Sequence, residues 1–299
     1  MLYHPSHHVP DLAEAEAFFS RVFGRSSTRL SVLTGAPPEL DYSTFTPIAD
    51  VLFDSIDPRR YIVAGERRYP DVERPRLKGL GFYVDGIAEL YRSLRDHGVT
   101  VVDQLDRIAE GDEPPTAAGA RMPLCFTVPE GAGLRYELVP QFPFPLDPRL
   151  DEGWTLPPVS GDDPLGIVRC AHHSVLTLRP ERAQRLVVDV LGGTVVHSGP
   201  DEVLGGTATS VHLADAVLRY VVPEQASAAH TALLATAPGD VYRSIAWQVL
   251  ALDRTARHLR AVGGDIVVRT DSLIEVDPDT ALGVPWRFTT TLVPGDPRA

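Results

Sequence analysis

A strand-like run, a helix of about three turns, a glycine and a further strand recur along this chain about every 75 to 90 residues. The helical segments fall at 11–23, 87–97, 179–191 and 253–262, and Gly24, Gly98, Gly192 and Gly263 close them. Repetition at this period constrains the fold more than any single motif, because one such unit cannot bury its apolar face alone. Four copies predict an α+β protein of four βαβββ modules, paired into two cup-shaped mixed sheets with helices outside. Any site is then expected on the concave faces that paired modules enclose.

Local signals agree with this frame. Asp11, Arg179-Pro180 and Asp253 sit where an N-cap or first-turn residue belongs, and proline suits a first helical position. Leu12, Ala15, Phe18, Phe19 and Val22 recur at helical spacing and form one apolar stripe. Tight turns are expected at 129–133, 214–216 and 278–283. Prolines and acidic residues break all periodicity over 140–166, which reads as a connector. Modules one and two therefore occupy 1–140, a Pro-rich linker 141–166, and modules three and four 167–299. A shift of about 165 residues lays 244–249 over 79–84, and 218–223 close to the pattern of 134–140.

Length and charge narrow the function classes. The 299 residues suffice for two domains, each with its own core. A net charge of −12 argues against nucleic acid or an anionic membrane as partner. No apolar run approaches the roughly 18 residues of a membrane span, and residues 1–10 lack the pattern of a signal peptide. Cys125 and Cys170 form neither a CxxC nor a zinc-ribbon spacing, which fits the reducing cytoplasm. Lys78 is the only lysine, so Schiff-base chemistry has one position open to it. Gly205-Gly206 carries no phosphate-loop or dinucleotide pattern, and no nucleotide cofactor is expected. The expected partner is a small molecule.

The segment 4–24, HPSHHVPDLAEAEAFFSRVFG, resembles the opening of a vicinal oxygen chelate module. That superfamily includes glyoxalase I, bleomycin-resistance proteins and type I extradiol dioxygenases. Its phrase has a His, an Asp-Leu pair, an aromatic pair on the helix and a closing glycine, here His4, Asp11-Leu12, Phe18-Phe19 and Gly24. The segments 79–87 and 244–252 resemble even-numbered modules, and 172–193 resembles the first. The resemblance implies a divalent metal (Fe, Mn, Zn or Ni) in a cup, held from the first and last strands of paired modules. Carried over, it makes His4 and Glu137 metal ligands, with Gly79 in place of a third and an apolar residue near Ile62 in place of a fourth. In the second half it places His172, Ser244, Val221 and approximately Thr289 at these positions, and His212 at the acid/base position of a dioxygenase. One imidazole does not make the facial triad that holds Fe(II), so the second cup is expected to be metal-free.

Alternation along a strand weighs the individual residues. His7 faces away from His4 and His8, which share a face roughly 13 Å apart, too far for one ion with bonds of about 2 Å. Register favours His4 over its neighbours and His172 over His173. Glu137 stands on an apolar strand, where a carboxylate is costly unless paired, coordinated or wet. It is either a metal ligand and catalytic base or the partner of Arg135. His212 is either a second catalytic group or a rim residue. Arg135, Arg219 and Arg287 recur in the last strands of modules two, three and four. They either bind an anionic substrate, together with His172 and Ser244, or form structural salt bridges. Tyr136 and Tyr220 face the other side and are expected to pack beneath the helices. Two functions stay open. One is a glyoxalase- or dioxygenase-like enzyme (lyase, isomerase or ring-cleaving) acting on a small oxygenated organic substrate with Glu137 and His212 as catalytic groups. The other is a metal-free binding protein of the drug-sequestering kind. Glu137 on its apolar strand tips the reading to the enzyme.

Overall fold

The computed structural model describes residues 1–35, 37, 41–118, 120–201, 203–236 and 239–299. Its two large sheets each contain eight strands. In spatial order the first holds Thr28–Arg29, Ser43–Ile48, Val51–Ile56, Leu2–His8, Arg76–Tyr83, Arg135–Val139, Cys125–Thr127 and Val101–Val102. The second holds Thr194–Pro200, Thr207–Leu213, Ala216–Val222, Ile167–Leu176, Val241–Val249, Arg287–Thr289, Leu273–Val276 and Ile266–Arg269. The order is the same in both. Two antiparallel first strands lie at the centre, each flanked by the parallel last strand of its own module. Modules one and two thus share the first sheet, and modules three and four the second.

The repeat helices begin and end where local chemistry dictates. Asp11 caps Leu12–Phe18 by accepting from the amides of Ala13 and Glu14. Pro180 opens Pro180–Gln184. The cap of Leu252–Ala261 is Ala251, and Asp253 lies in the first turn, as expected. The first and third helices finish in a π turn, Phe19–Phe23 and Arg185–Val190. Gly24, Gly98, Gly192 and Gly263 all adopt the left-handed backbone that only glycine takes without strain. Of the expected tight turns, 129–133 is instead a short helix, Pro129–Ala132, and 278–283 contains the 3₁₀ turn Pro278–Thr280.

The largest apolar cluster runs through both sheets, because their helix-bearing back faces pack on each other, and each half also has a smaller cluster of its own. Phe18, Phe19 and Phe23 of the first helix surround Trp286 of the fourth module, with Trp247 beside it. The phenols of Tyr136 and Tyr220, one from each sheet, meet at 2.9 Å inside this layer. The 140–166 connector is also more than a spacer. Arg149 pairs with Asp147 and donates to the carbonyls of Tyr3 and Asp50, which pins it to the first sheet. Phe142 and Phe144 then lie against Tyr3. Among the described residues no helix is long and apolar enough to cross a membrane.

Candidate active site

Register decides which side chains share the first cup. His4 and Glu137 both stand directly opposite Gly81, and Ser6 stands opposite Asp54. Directly paired residues point to the same side of a sheet, so His4, Asp54 and Glu137 converge. The Nε2 of His4 lies 3.8 Å from Glu137 Oε2, and its Nδ1 lies 3.9 Å from Asp54 Oδ2. One imidazole is thus placed between two carboxyl groups. Ser6 Oγ sits 3.3 Å from His4 Nδ1, and Ser43 Oγ donates to Asp54. Gly81 matters through what it lacks: a Cβ there would come within 3.1 Å of His4 Nε2.

These groups line a cavity of about 430 Å³. Its walls are aromatic, with Tyr3 from the sheet, Tyr42, Tyr61 and Tyr69 from the loops of module one, and Phe142 and Phe144 from the connector. Tyr42 and Tyr61 stack at 3.9 Å. Burial in this apolar shell moves every titratable group toward its neutral form. Desolvation raises Asp54 to about 8 and Glu137 to about 7, the latter partly opposed by the Arg68 charge. Desolvation, with the Arg149 charge, lowers His4 to about 3. Near neutrality burial therefore favours a neutral imidazole and a protonated Asp54, and holds Glu137 above the usual carboxylate range.

No family model matches the sequence, and no curated protein matches it. Solved structures match along its length. 2,2',3-Trihydroxybiphenyl 1,2-dioxygenase from Sphingomonas wittichii strain RW1 aligns with TM-score 0.62 at 15% identity, covering 100% of this chain and 93% of that one. A mutant of 4-hydroxymandelate synthase from Streptomyces coelicolor aligns with TM-score 0.61 at 14% identity, covering 96% and 91%. The Mn(II)-bound glyoxalase from Novosphingobium aromaticivorans aligns with TM-score 0.57 at 13% identity, covering 100% and 85%. The chain has the vicinal oxygen chelate fold.

Register puts different residues beside His4 and Glu137 from those expected from sequence. In the first cup Gly81, not Gly79, stands opposite both, and the residue on the neighbouring strand is Asp54, not one near Ile62. Ile62 lies in a separate two-stranded hairpin. In the second cup His172 stands opposite Ala246, Ala246 opposite Arg287, and Ser174 opposite Arg219. The matching set is thus His172, Ala246, Arg287 and Arg219. Ser244, Val221 and Thr289 each stand two residues away from it. Where the first cup has two carboxylates, the second has two guanidiniums.

The donor set of the first cup does not fit a resident ion of the kind the fold implies. His4 Nε2 and Glu137 offer two donors, but Asp54 approaches the opposite ring nitrogen and Gly81 offers none. Among the described residues no three His, Cys, Asp or Glu side chains gather to hold a metal. The other expected site residues are placed as follows. Arg135 shares the face of Glu137 but pairs with Asp106, and its guanidinium lies over Phe126. His212 stands on the second sheet, half-exposed, away from Glu137 on the first. His7 faces the core and reaches the Leu282 carbonyl at 3.0 Å. His8 shares the cup's side of the strand and packs on Tyr69. Sequence reasoning missed Asp54, although the signal used for Glu137 was present: an acid inside the apolar run VLFDSI.

Proposed function

We propose that the first cup is the active site of a glyoxalase- or dioxygenase-like enzyme that moves protons on a small oxygenated organic substrate. The observation that carries this reading is the Asp54–His4–Glu137 array beneath an aromatic cavity. A general base works best with a pKa near the working pH, and Glu137 at about 7 meets that condition. Glu137 takes a proton from a carbon next to a carbonyl or hydroxyl. His4, neutral and lodged between the two carboxyls, donates or accepts at the adjacent oxygen. Asp54, protonated, keeps a second negative charge out of the cup while that charge develops on the substrate. The stacked tyrosines and the connector phenylalanines hold a flat substrate and exclude water. No step passes through a metal, since the donor set supplies only two of the ligands such an ion needs.

The test is a panel of 2-hydroxy ketones, 2-oxo acids and aromatic diols, followed by NMR for exchange or isomerisation in deuterated buffer. Glu137→Gln should lower kcat at least 100-fold while leaving the fold and ligand binding intact, and the wild-type rate should depend on a group titrating near 7. Metal analysis of protein purified without chelator accompanies the assay. Stoichiometric metal lost in Glu137→Gln would replace this mechanism by a metal-assisted one on His4 and Glu137. The aromatic lining favours a second reading, sequestration of an aromatic ligand. Tight binding with no turnover, unaffected by Glu137→Gln, would establish it.

A further inference from the structure

The front face of the second sheet carries two rows of polar side chains. Ser210, Arg219, Ser174 and Ser244 stand directly opposite one another across four adjacent strands. His172, Ala246, Arg287 and Glu275 form the next row. Arg243 joins them because the strand register skips it between Ser244 and Tyr242, and a bulge of this kind re-aims a side chain. These groups form a charge network. Arg287 Nε bonds Glu275 at 2.7 Å and its Nη1 lies 3.8 Å from Asp201. Arg219 reaches Asp201 and Arg243 reaches Glu275, each at 3.2 Å.

Two features of this network are unusual for a closed structural cluster. Among the described residues three guanidinium charges face two carboxylates, one positive charge in excess. Several buried polar atoms also have no hydrogen-bond partner among the described residues: Arg287 Nη2, both ring nitrogens of His172, and the hydroxyls of Ser174, Ser210 and Ser244. Arg287 is 1% exposed and the three serines are fully buried. Buried donors are almost always satisfied, so such a cluster of orphans on one face marks a missing acceptor. Burial and the Arg219 and Arg287 charges hold His172 well below its ordinary pKa, so it stands there as a neutral donor.

We propose that the second cup binds a small oxyanion, with Arg287 Nη2, His172 and the hydroxyls of Ser210 and Ser244 as donors. A carboxylate or a phosphate supplies the same chemistry: one compensating charge and several acceptor lone pairs for donors in a fixed fork. This assignment is independent of the reaction in the first cup, because its donors all stand on the other sheet.

Calorimetric titration of the full chain with inorganic phosphate and, separately, with benzoate tests it. At least one anion should bind saturably at one site, and the arm that binds identifies phosphate or carboxylate. Ser210→Ala and Ser244→Ala should each weaken binding several-fold, and Arg287→Met at least 10-fold. The serine variants remove hydroxyls that have no partner among the described residues, so they should melt at or above the wild-type temperature. They remain decisive even where Arg287→Met does not fold. No saturable binding of either anion, or unchanged affinity in both serine variants, overturns the proposal.

Discussion

The phenol of Tyr136 hydrogen-bonds the phenol of Tyr220 at 2.9 Å, one residue from each sheet, in the layer between them. Both rings are almost fully buried. Removing one hydroxyl strands the other, whereas removing both leaves a dry aromatic contact. Tyr136→Phe and Tyr220→Phe should each lower stability by about 1–3 kcal/mol. The double variant should lose less than the sum of the two. Urea unfolding of the four proteins completes the cycle, and strictly additive losses would mean the pair is not coupled.

Asp54 makes stability depend on pH in a definite direction. Its folded-state value of about 8 lies above the ordinary 3.8, so the native protein holds this proton more tightly than the unfolded chain. Stability contributed by the neutral form is fully present below about 4 and is lost as pH rises toward 8, at up to ~1.4 kcal/mol per pH unit. Asp54→Asn carries no such proton. Measured against wild type, the variant should gain relative stability steadily from pH 4 to pH 8. A pH-independent difference would show that Asp54 titrates normally.

The buried imidazoles act in the opposite sense. His7 is lowered to about 4, and His4, His8 and His173 to about 3, all chiefly by burial. Each binds a proton more readily in the unfolded chain, so acid pulls the protein toward unfolding as pH falls from 6.5. His8 has neither ring nitrogen bonded in its buried site. His8→Gln should therefore lose less stability than wild type between pH 6.5 and pH 4, read from urea midpoints at each pH. Parallel curves for the two proteins would count against this.

The helices and their closing glycines were legible because their signals are local: a cap, an apolar stripe, a residue able to take positive φ. Sheet register was not. Strand alternation tells which side a residue faces but not which row it occupies. Ser244, Val221 and Thr289 were thus assigned two residues from Ala246, Arg219 and Arg287, always on the correct face. Asp54 was lost for a different reason. The hairpin at 62–67 reads like a further strand of the module, and it drew the last-strand position away from Val51–Ile56. Arg287 could be named as a recurring arginine, but its place opposite Ala246 needed coordinates.

Arg149 and Asp147 anchor the connector, and both side chains are nearly inaccessible to water. Arg149→Met leaves a buried carboxylate without its partner, which costs about 3–5 kcal/mol. Converting both, with Asp147→Asn, should recover much of that loss. Thermal unfolding of the single and double variants checks it, and an equal loss in both would assign the effect to packing of the arginine stem instead.

Phe142 and Phe144 line the first cavity, so the strip of chain that joins the halves is also part of the wall of one of them. The linker thereby sets the shape of the pocket as well as the path of the chain. A fragment cut at the end of the second module would keep the base of the cup and lose that wall.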